Sequence, residues 1–244
     1  MKVQGYIISM ARAEKRLEHV RRIMAECTLE YHRFDAIDGR QLTDAAIDKV
    51  YRRGFHQPSY PFDLTRGEIG CFLSHRSVWK KIAEGDSPGA LVLEDDIEIL
   101  PGFGEALRFA VEAAPPCSYV QFQTRELKGA YQEIAFSKDH QLVLPKITPL
   151  RATAQWITRQ AATQLVEATE VFDRPIDTFV QMRWLHGVEV LVVTPPCVRE
   201  ISGELGGSVI NEPKPKKFRL PKLSRDFKRL VYRKQVQICS RNAA

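Results

Sequence analysis

Ala90-Leu91-Val92-Leu93 runs without a polar residue into Glu94-Asp95-Asp96. Four consecutive apolar residues require a strand buried on both faces, hence one inside a sheet covered on both sides. Three adjacent carboxylates repel one another, and burying their charge is costly unless a cation compensates. In open α/β sheets, ligands bind at the carboxyl ends of the strands, which is where this triplet stands. A hard cation, Mn²⁺ or Mg²⁺, would neutralise it and could bridge it to phosphates. A solvated loop, or a cap for the next helix, is the plainer alternative at this stage.

The flanks fit a central strand. Upstream, Thr65 with Glu68 three positions on forms a capping box. The helix it opens runs to about Glu84 and puts Ile69, Phe72, Leu73, Val78, Trp79 and Ile82 on its inner side. Gly85-Asp86-Ser87-Pro88-Gly89 ends that helix. Further back, Val3 to Met10 reads as a strand and Ala11 to Cys27 as a helix. Tyr31 to Ile37 reads as a second strand, closed by the turn dipeptide Asp38-Gly39. Strand, helix, strand at this spacing predicts a βαβ unit and a parallel sheet. Downstream, helices are predicted over Gly104 to Ala114 and Ala161 to Phe172, and strands over Tyr119 to Phe122 and Val188 to Thr194. Lys128 to Pro149 reads as irregular strands.

The totals suit one large α/β domain with an appendage. The chain has 244 residues, 44% hydrophobic and 27% charged, values of an ordinary folded protein. No apolar run approaches the roughly 20 residues of a spanning helix. The first ten residues read as a buried strand rather than a signal peptide, so a cytoplasmic location is expected. Five scattered cysteines without a C-x-x-C pair predict reduced thiols. The charge is uneven: beyond Ile210 there are eleven Lys/Arg against two acids, so a chain of net charge +6 is −3 up to that point. The expected division is therefore 1–210 as the main domain and 211–244 as a basic linker and helix. Ser224 can cap that helix, in which Phe227, Leu230, Val231 and Ile238 share one face beside lysines and arginines. Such a helix can lie on an anionic membrane surface, here the inner face of the cytoplasmic membrane; a helix packed on the body of the domain, or a disordered basic tail, is the alternative.

The acidic triplet, preceded by Gly67-Glu68-Ile69-Gly70-Cys71-Phe72-Leu73-Ser74-His75, resembles glycosyltransferase family 25. This is the lipooligosaccharide glycosyltransferase family, to which the collagen galactosyltransferases are related. Weaker matches follow in order: Ile8-Ser9-Met10 with Arg12 and Arg16, Ala36-Ile37-Asp38-Gly39, Trp156-Ile157-Thr158-Arg159, and Pro175-Ile176-Asp177. The resemblance covers about Val3 to Val198. It implies a GT-A-like, Rossmann-type mixed sheet flanked by helices, a UDP-sugar donor, a divalent metal and transfer with inversion. The commonest family donor, UDP-galactose, and a lipooligosaccharide or other glycan acceptor, lipid-linked or free, complete the expectation. Ser9 where the family usually has Asn, Trp156 where it usually has Tyr, and Ala152 in a region where Gly is common are departures that bear on the donor sugar.

Within that frame Asp95 and Asp96 are the expected metal ligands. Ser9, Arg12, Arg16, Asp38, Ser74, His75 and Glu94 are the expected donor-site residues. Asp38 could instead only form its turn, and Arg12 and Arg16 could line a solvated helix face. Asp177, on a Pro-restricted loop, is the expected base for the acceptor hydroxyl, with helix capping as its alternative. His186 is a further candidate ligand. Acceptor recognition is assigned to the loops Tyr51 to Asp63 and Arg125 to Asp139. Three other readings compete. A nucleic-acid-binding protein is suggested by the basic tail, but the acidic main body opposes it and no nucleic acid is expected. A non-catalytic carbohydrate- or partner-binding relative is the second. A nucleotidylyltransferase is the third, and it lacks its Gly-rich loop between Ser9 and Glu14.

Overall fold

The computed structural model describes residues 4–26, 30–207 and 222–242. The predicted linker Glu212 to Pro221 and the end of the first helix at Cys27 lie outside them. β1 (Gln4–Ser9), α1 (Glu14–Glu26) and β2 (Glu30–Asp35) form the expected βαβ unit, with β1 and β2 parallel. A 3₁₀ turn (Gly39–Gln41) and α2 (Asp44–Val50) precede α3 (Arg66–Glu84), whose start carries the complete Thr65–Glu68 capping box. β3 (Gly89–Glu94) follows, then β4 (Ile97–Ile99), α4 (Phe103–Ala113) and β5 (Ser118–Phe122). β6 (Tyr131–Phe136) and β7 (Gln141–Pro145) pair as an antiparallel hairpin, resolving the irregular region. The remainder comprises β8 (Ala154–Thr158), α5 (Arg159–Ala168), α6 (Ile176–Val180), α7 (Arg183–His186), β9 (Glu189–Thr194), β10 (Val198–Glu200) and α8 (Lys222–Asn242).

Eight strands form one mixed sheet in the order β2-β1-β3-β8-β5-β9-β7-β6. β4 and β10 pair separately, antiparallel. β3 is interior and parallel to β1, and all four of its apolar residues are buried. One sheet face packs on α3, α5 and α6 through Phe72, Trp79, Leu165 and Phe179; the other packs on α1 and α4 through Val20, Ile23, Phe103 and Leu107. This three-layer α/β arrangement is GT-A-like, as expected.

Two features differ from the sequence reading. β8 enters antiparallel between β3 and β5, a position no strand was assigned to. In α8 the helix is already under way before Ser224, which therefore does not cap it. Phe227, Leu230, Val231 and Ile238 do share a face, but it points to solvent; Tyr232, Val236 and Ser240, four residues apart, face the body and are buried. Four-residue spacing returns a helix to the same side, so this second stripe is what docks the tail.

Candidate active site

Parallel β1, β2 and β3 end together, so the segments following them converge at one sheet edge. Ser9 ends β1 beside Asp35 of β2, and Ile8 pairs with Glu94 of β3. The loop after β2 is held against the start of α3. Ser74 accepts a hydrogen bond from the Ile37 amide at 2.8 Å and donates one to the Gly70 carbonyl at 2.7 Å. The approach is close: a side chain on Gly39 would overlap the Arg66 carbonyl, and one on Gly70 would meet that of Ile37. Gly39 of the Asp-Gly turn and Gly70 of the motif are thus packing requirements. Ser74, expected at the donor, has its hydroxyl committed to this joint.

Ser9, Arg12, Arg16, Asp38, Ser74, His75, Glu94, Asp95 and Asp96 all border one pocket between these loops. Asp38 caps the 3₁₀ turn and accepts from Arg40 Nη2 at 2.8 Å and Arg12 Nε at 3.0 Å. The Arg40 guanidinium first, with that of Arg12, holds its carboxyl well below the usual range. Arg16 is buried; its guanidinium donates to Asp95 and to the Gly207 carbonyl and lies 3.2 Å from Asp96. It is the built-in counter-charge of the triplet rather than a free arm for a ligand.

Asp96 remains incompletely satisfied. Its Oδ1 is buried without a hydrogen-bond partner, as is Ser9 Oγ. Burial, and next the Glu94 charge, push the Asp96 carboxyl up to about 7 against the pull of Arg16. An orphaned buried oxygen costs about 1–3 kcal/mol, more when charged, and a divalent cation relieves that cost. The donor set at Asp96 therefore fits Mn²⁺ or Mg²⁺.

A second group, Cys71, His75 and Glu94, brings its ligand atoms within 4.8 Å of one another. Its chemistry is different. Tyr119 donates to Gln155 Oε1, and Gln155 Nε2 lies 3.4 Å from His75 Nδ1, which makes Nδ1 the acceptor. His75 Nε2 then carries the proton and donates to Glu94 Oε1 at 3.1 Å. In this tautomer Nε2, the nitrogen facing Glu94, presents a hydrogen rather than a lone pair, and burial raises the Cys71 thiol well above its ordinary pKa. The chain Tyr119–Gln155–His75 is a clamp on Glu94. Gln155 and Tyr119 went unmarked in the sequence: Tyr119 opens a predicted buried strand, and Gln155 lies in a segment read as no element, with no spacing to single either out.

Asp177 occupies the far side. It lies in the first turn of α6, where Pro175 is the N-cap, so Asp177 is not the cap. Its Oδ2 accepts from the Arg151 amide at 3.3 Å, and its Oδ1 accepts from the Thr178 hydroxyl at 3.1 Å. Burial raises its carboxyl above the ordinary range, partly offset by those bonds. Arg151 has φ 99°, a left-handed conformation that favours glycine, one residue before the noted departure at Ala152. With Glu94, Cys71 and Arg151, Asp177 borders a cavity of about 220 Å³, and it also borders a groove of about 920 Å³ beneath α8. His186 is elsewhere: Nδ1 accepts from the Val188 amide at 3.1 Å and Nε2 lies 3.1 Å from the Val180 carbonyl. With both nitrogens used, it is a core residue and not a ligand.

A family model described as glycosyltransferase family 25 (LPS biosynthesis protein) matches residues 2–180. The chain belongs to glycosyltransferase family 25. The matched span contains every residue of the pocket and Asp177, and it stops short of α7, β9 and α8. Similar proteins include a "Glycosyltransferase 25 family member" of Drosophila melanogaster, 32% identical over 129 residues, which is 50% of this chain and 21% of that protein. Procollagen galactosyltransferase 2 of Homo sapiens is 34% identical over 105 residues, 42% of this chain and 17% of that protein. Procollagen galactosyltransferase 1-B of Xenopus laevis is 33% identical over 95 residues, 38% and 16% respectively. The match to these curated relatives thus spans about a fifth of their length or less. For this family 25 chain, no helix among the described residues is long and apolar enough to cross a membrane.

Proposed function

We propose that the chain is an inverting, metal-dependent transferase that moves a hexose, galactose from UDP-galactose, onto a lipooligosaccharide or other glycan acceptor. The observation that carries this reading is the position of Asp177. It borders both the cavity that shares Glu94 and Cys71 with the acid-lined pocket and the large groove on the other side. A base between a donor pocket and an acceptor groove is what inversion needs, because the acceptor oxygen must attack opposite the leaving group.

In this reading Asp96, with Asp95 beside it, would hold Mn²⁺ or Mg²⁺, which when bound neutralises the donor diphosphate and stabilises departing UDP. Arg16 keeps the triplet from carrying its full negative charge. Ser9 Oγ, buried and unpartnered, donates to the donor. Arg12, and Arg40 beside it, meet the uridine or diphosphate at the pocket rim, with Asp38 aligning both. The His75 N–H fixes Glu94 to receive the ribose hydroxyls. Asp177 takes the acceptor hydroxyl proton as that oxygen forms the new glycosidic bond and UDP leaves.

The domain division keeps 1–210 as the transferase and 211–244 as the basic tail. The outward face of α8, with Phe227 66% and Ile238 58% exposed, supports a peripheral place for the tail at an anionic inner membrane surface. Failure of the full chain to sediment with anionic vesicles at low salt would remove that role. The transfer reading is tested by a panel of UDP-sugars with Mn²⁺ or with EDTA. UDP release from UDP-galactose, abolished by EDTA and restored by Mn²⁺, is expected; no release from any UDP-sugar would overturn it.

A further inference from the structure

The groove beneath α8 carries an unusual charge pattern. Arg229 and Arg233 reach it from α8, and Arg125 and Lys128 reach it from the loop after β5. The acids around the same space are fewer. Glu200 is paired with Arg151, Asp177 sits at the inner end, Glu126 is the third acid of the lining, and Asp226 on α8 lies 3.8 Å from Arg229. The groove also has an aromatic side. Tyr60 meets Tyr232 edge-on with ring centroids 5.4 Å apart, and the Arg229 guanidinium lies 5.6 Å from the Phe62 ring centroid.

α8 is held in place as a wall of this groove. Arg174, fully buried, donates to the Tyr232 hydroxyl at 2.8 Å, to Asp173 at 2.6 Å, and to the carbonyls of His56 at 3.1 Å and Pro58 at 3.0 Å. One guanidinium therefore fixes both the 56–60 loop, which brings Tyr60, and the tail helix, which brings Arg229 and Arg233. The placement of these cations is built into the fold rather than left to a loose tail.

Five cations line this space against three acids, an excess of positive charge that favours an entering anion. A neutral glycan would need hydroxyl acceptors and stacking surfaces; the aromatics supply the second, and the cations go beyond both needs. Guanidinium forks match the paired oxygens of phosphate and carboxylate. We propose that the groove takes an acceptor glycan bearing a phosphate substituent, held between Arg229 and Arg233 of α8 and Arg125 and Lys128 of the facing loop. The sugar to be extended then points to Asp177. The tail is thereby an acceptor-selecting part of the enzyme. This rests on the transferase reading above and specifies its acceptor.

The test uses the full chain, UDP-galactose and Mn²⁺, with core oligosaccharide released from lipopolysaccharide as acceptor. One portion keeps its phosphates and the other is phosphatase-treated. The phosphorylated acceptor is expected to have a KM lower by about tenfold or more at similar kcat. In the Arg229→Gln/Arg233→Gln double variant that preference should collapse towards one, while Arg229→Lys/Arg233→Lys keeps part of it. Arg108→Gln, at an exposed position on α4, should leave it intact. Equal KM for the two acceptors, or a preference that survives the double Gln variant, would overturn the proposal. No transfer to either acceptor would overturn it too. UDP-galactose hydrolysis in the same tubes separates the two failures: with hydrolysis only the groove assignment falls, and without it the transferase reading falls as well.

Discussion

Gln155 carries no charge, yet it determines how His75 can act. By giving Nδ1 a donor it leaves Nε2 protonated, so His75 holds Glu94 by an N–H rather than competing with it for a proton or a metal. Asp177 is the other residue whose role depends on its surroundings, since burial raises its carboxyl towards the range useful to a base. The sign is definite: a raised pKa means activity is lost as pH falls through it and is full above it. Asp177→Asn should lower kcat by about 10²–10⁴-fold, leave the UDP-sugar KM near its starting value, and remove the Asp177 contribution to the acidic limb of the pH–rate profile, leaving that of Asp96. Normal turnover in that variant would take the base role from Asp177. The acidic triplet stood out by its own chemistry, whereas His75 and Asp177 stood out only with the family resemblance beside it; the fold brings His75 and the triplet to one pocket and Asp177 to the cavity next to it. Arg16 was legible as a site residue but not as the partner of Asp95 and Asp96, since an ion pair 79 residues apart in sequence leaves no local signal.

The elements were most legible where packing imposes a period. β1, α1, β2, α3 and β3 stand where apolar spacing and the capping box placed them, because each buries one clear face or both. β8 was missed because Ala154 to Thr158 mixes Gln and Thr with apolar residues, although all five are buried. Its polar members are hydrogen-bonded within the sheet and the site, which hides the strand from hydropathy. α8 was read by its outward stripe, whereas the docking stripe of Tyr232, Val236 and Ser240 is shorter and less apolar. Arg174 is the joint of that helix. Arg174→Met should destabilise the fold by about 3–5 kcal/mol, because Asp173 is left as an uncompensated buried charge, and chemical denaturation measures it. A loss below about 1 kcal/mol would mean that the buried pair and the α8 contact contribute little.

On the scale of the whole molecule, the sheet sorts the chemistry. Its parallel half, β2-β1-β3, delivers the pocket residues to one edge, and antiparallel β8 beside β3 carries Arg151 and Ala152 alongside the triplet. The Glu94 amide donates to the Thr153 carbonyl at 2.8 Å, which fixes that alignment. α6 and α8 then close the other side, so pocket, base and groove follow one another across the molecule. We propose that Asp96 supplies the oxygen a divalent metal needs for transfer. The most direct measurement compares wild type and Asp96→Ala for Mn²⁺ binding by calorimetry and for UDP-galactose turnover, with thermal melting to establish that both are folded. The Asp96→Ala variant is expected to stay folded, to lose Mn²⁺ binding in the presence of UDP, and to lose turnover by about 10³-fold or more. Full activity in folded Asp96→Ala, or wild-type turnover indifferent to EDTA, would contradict it.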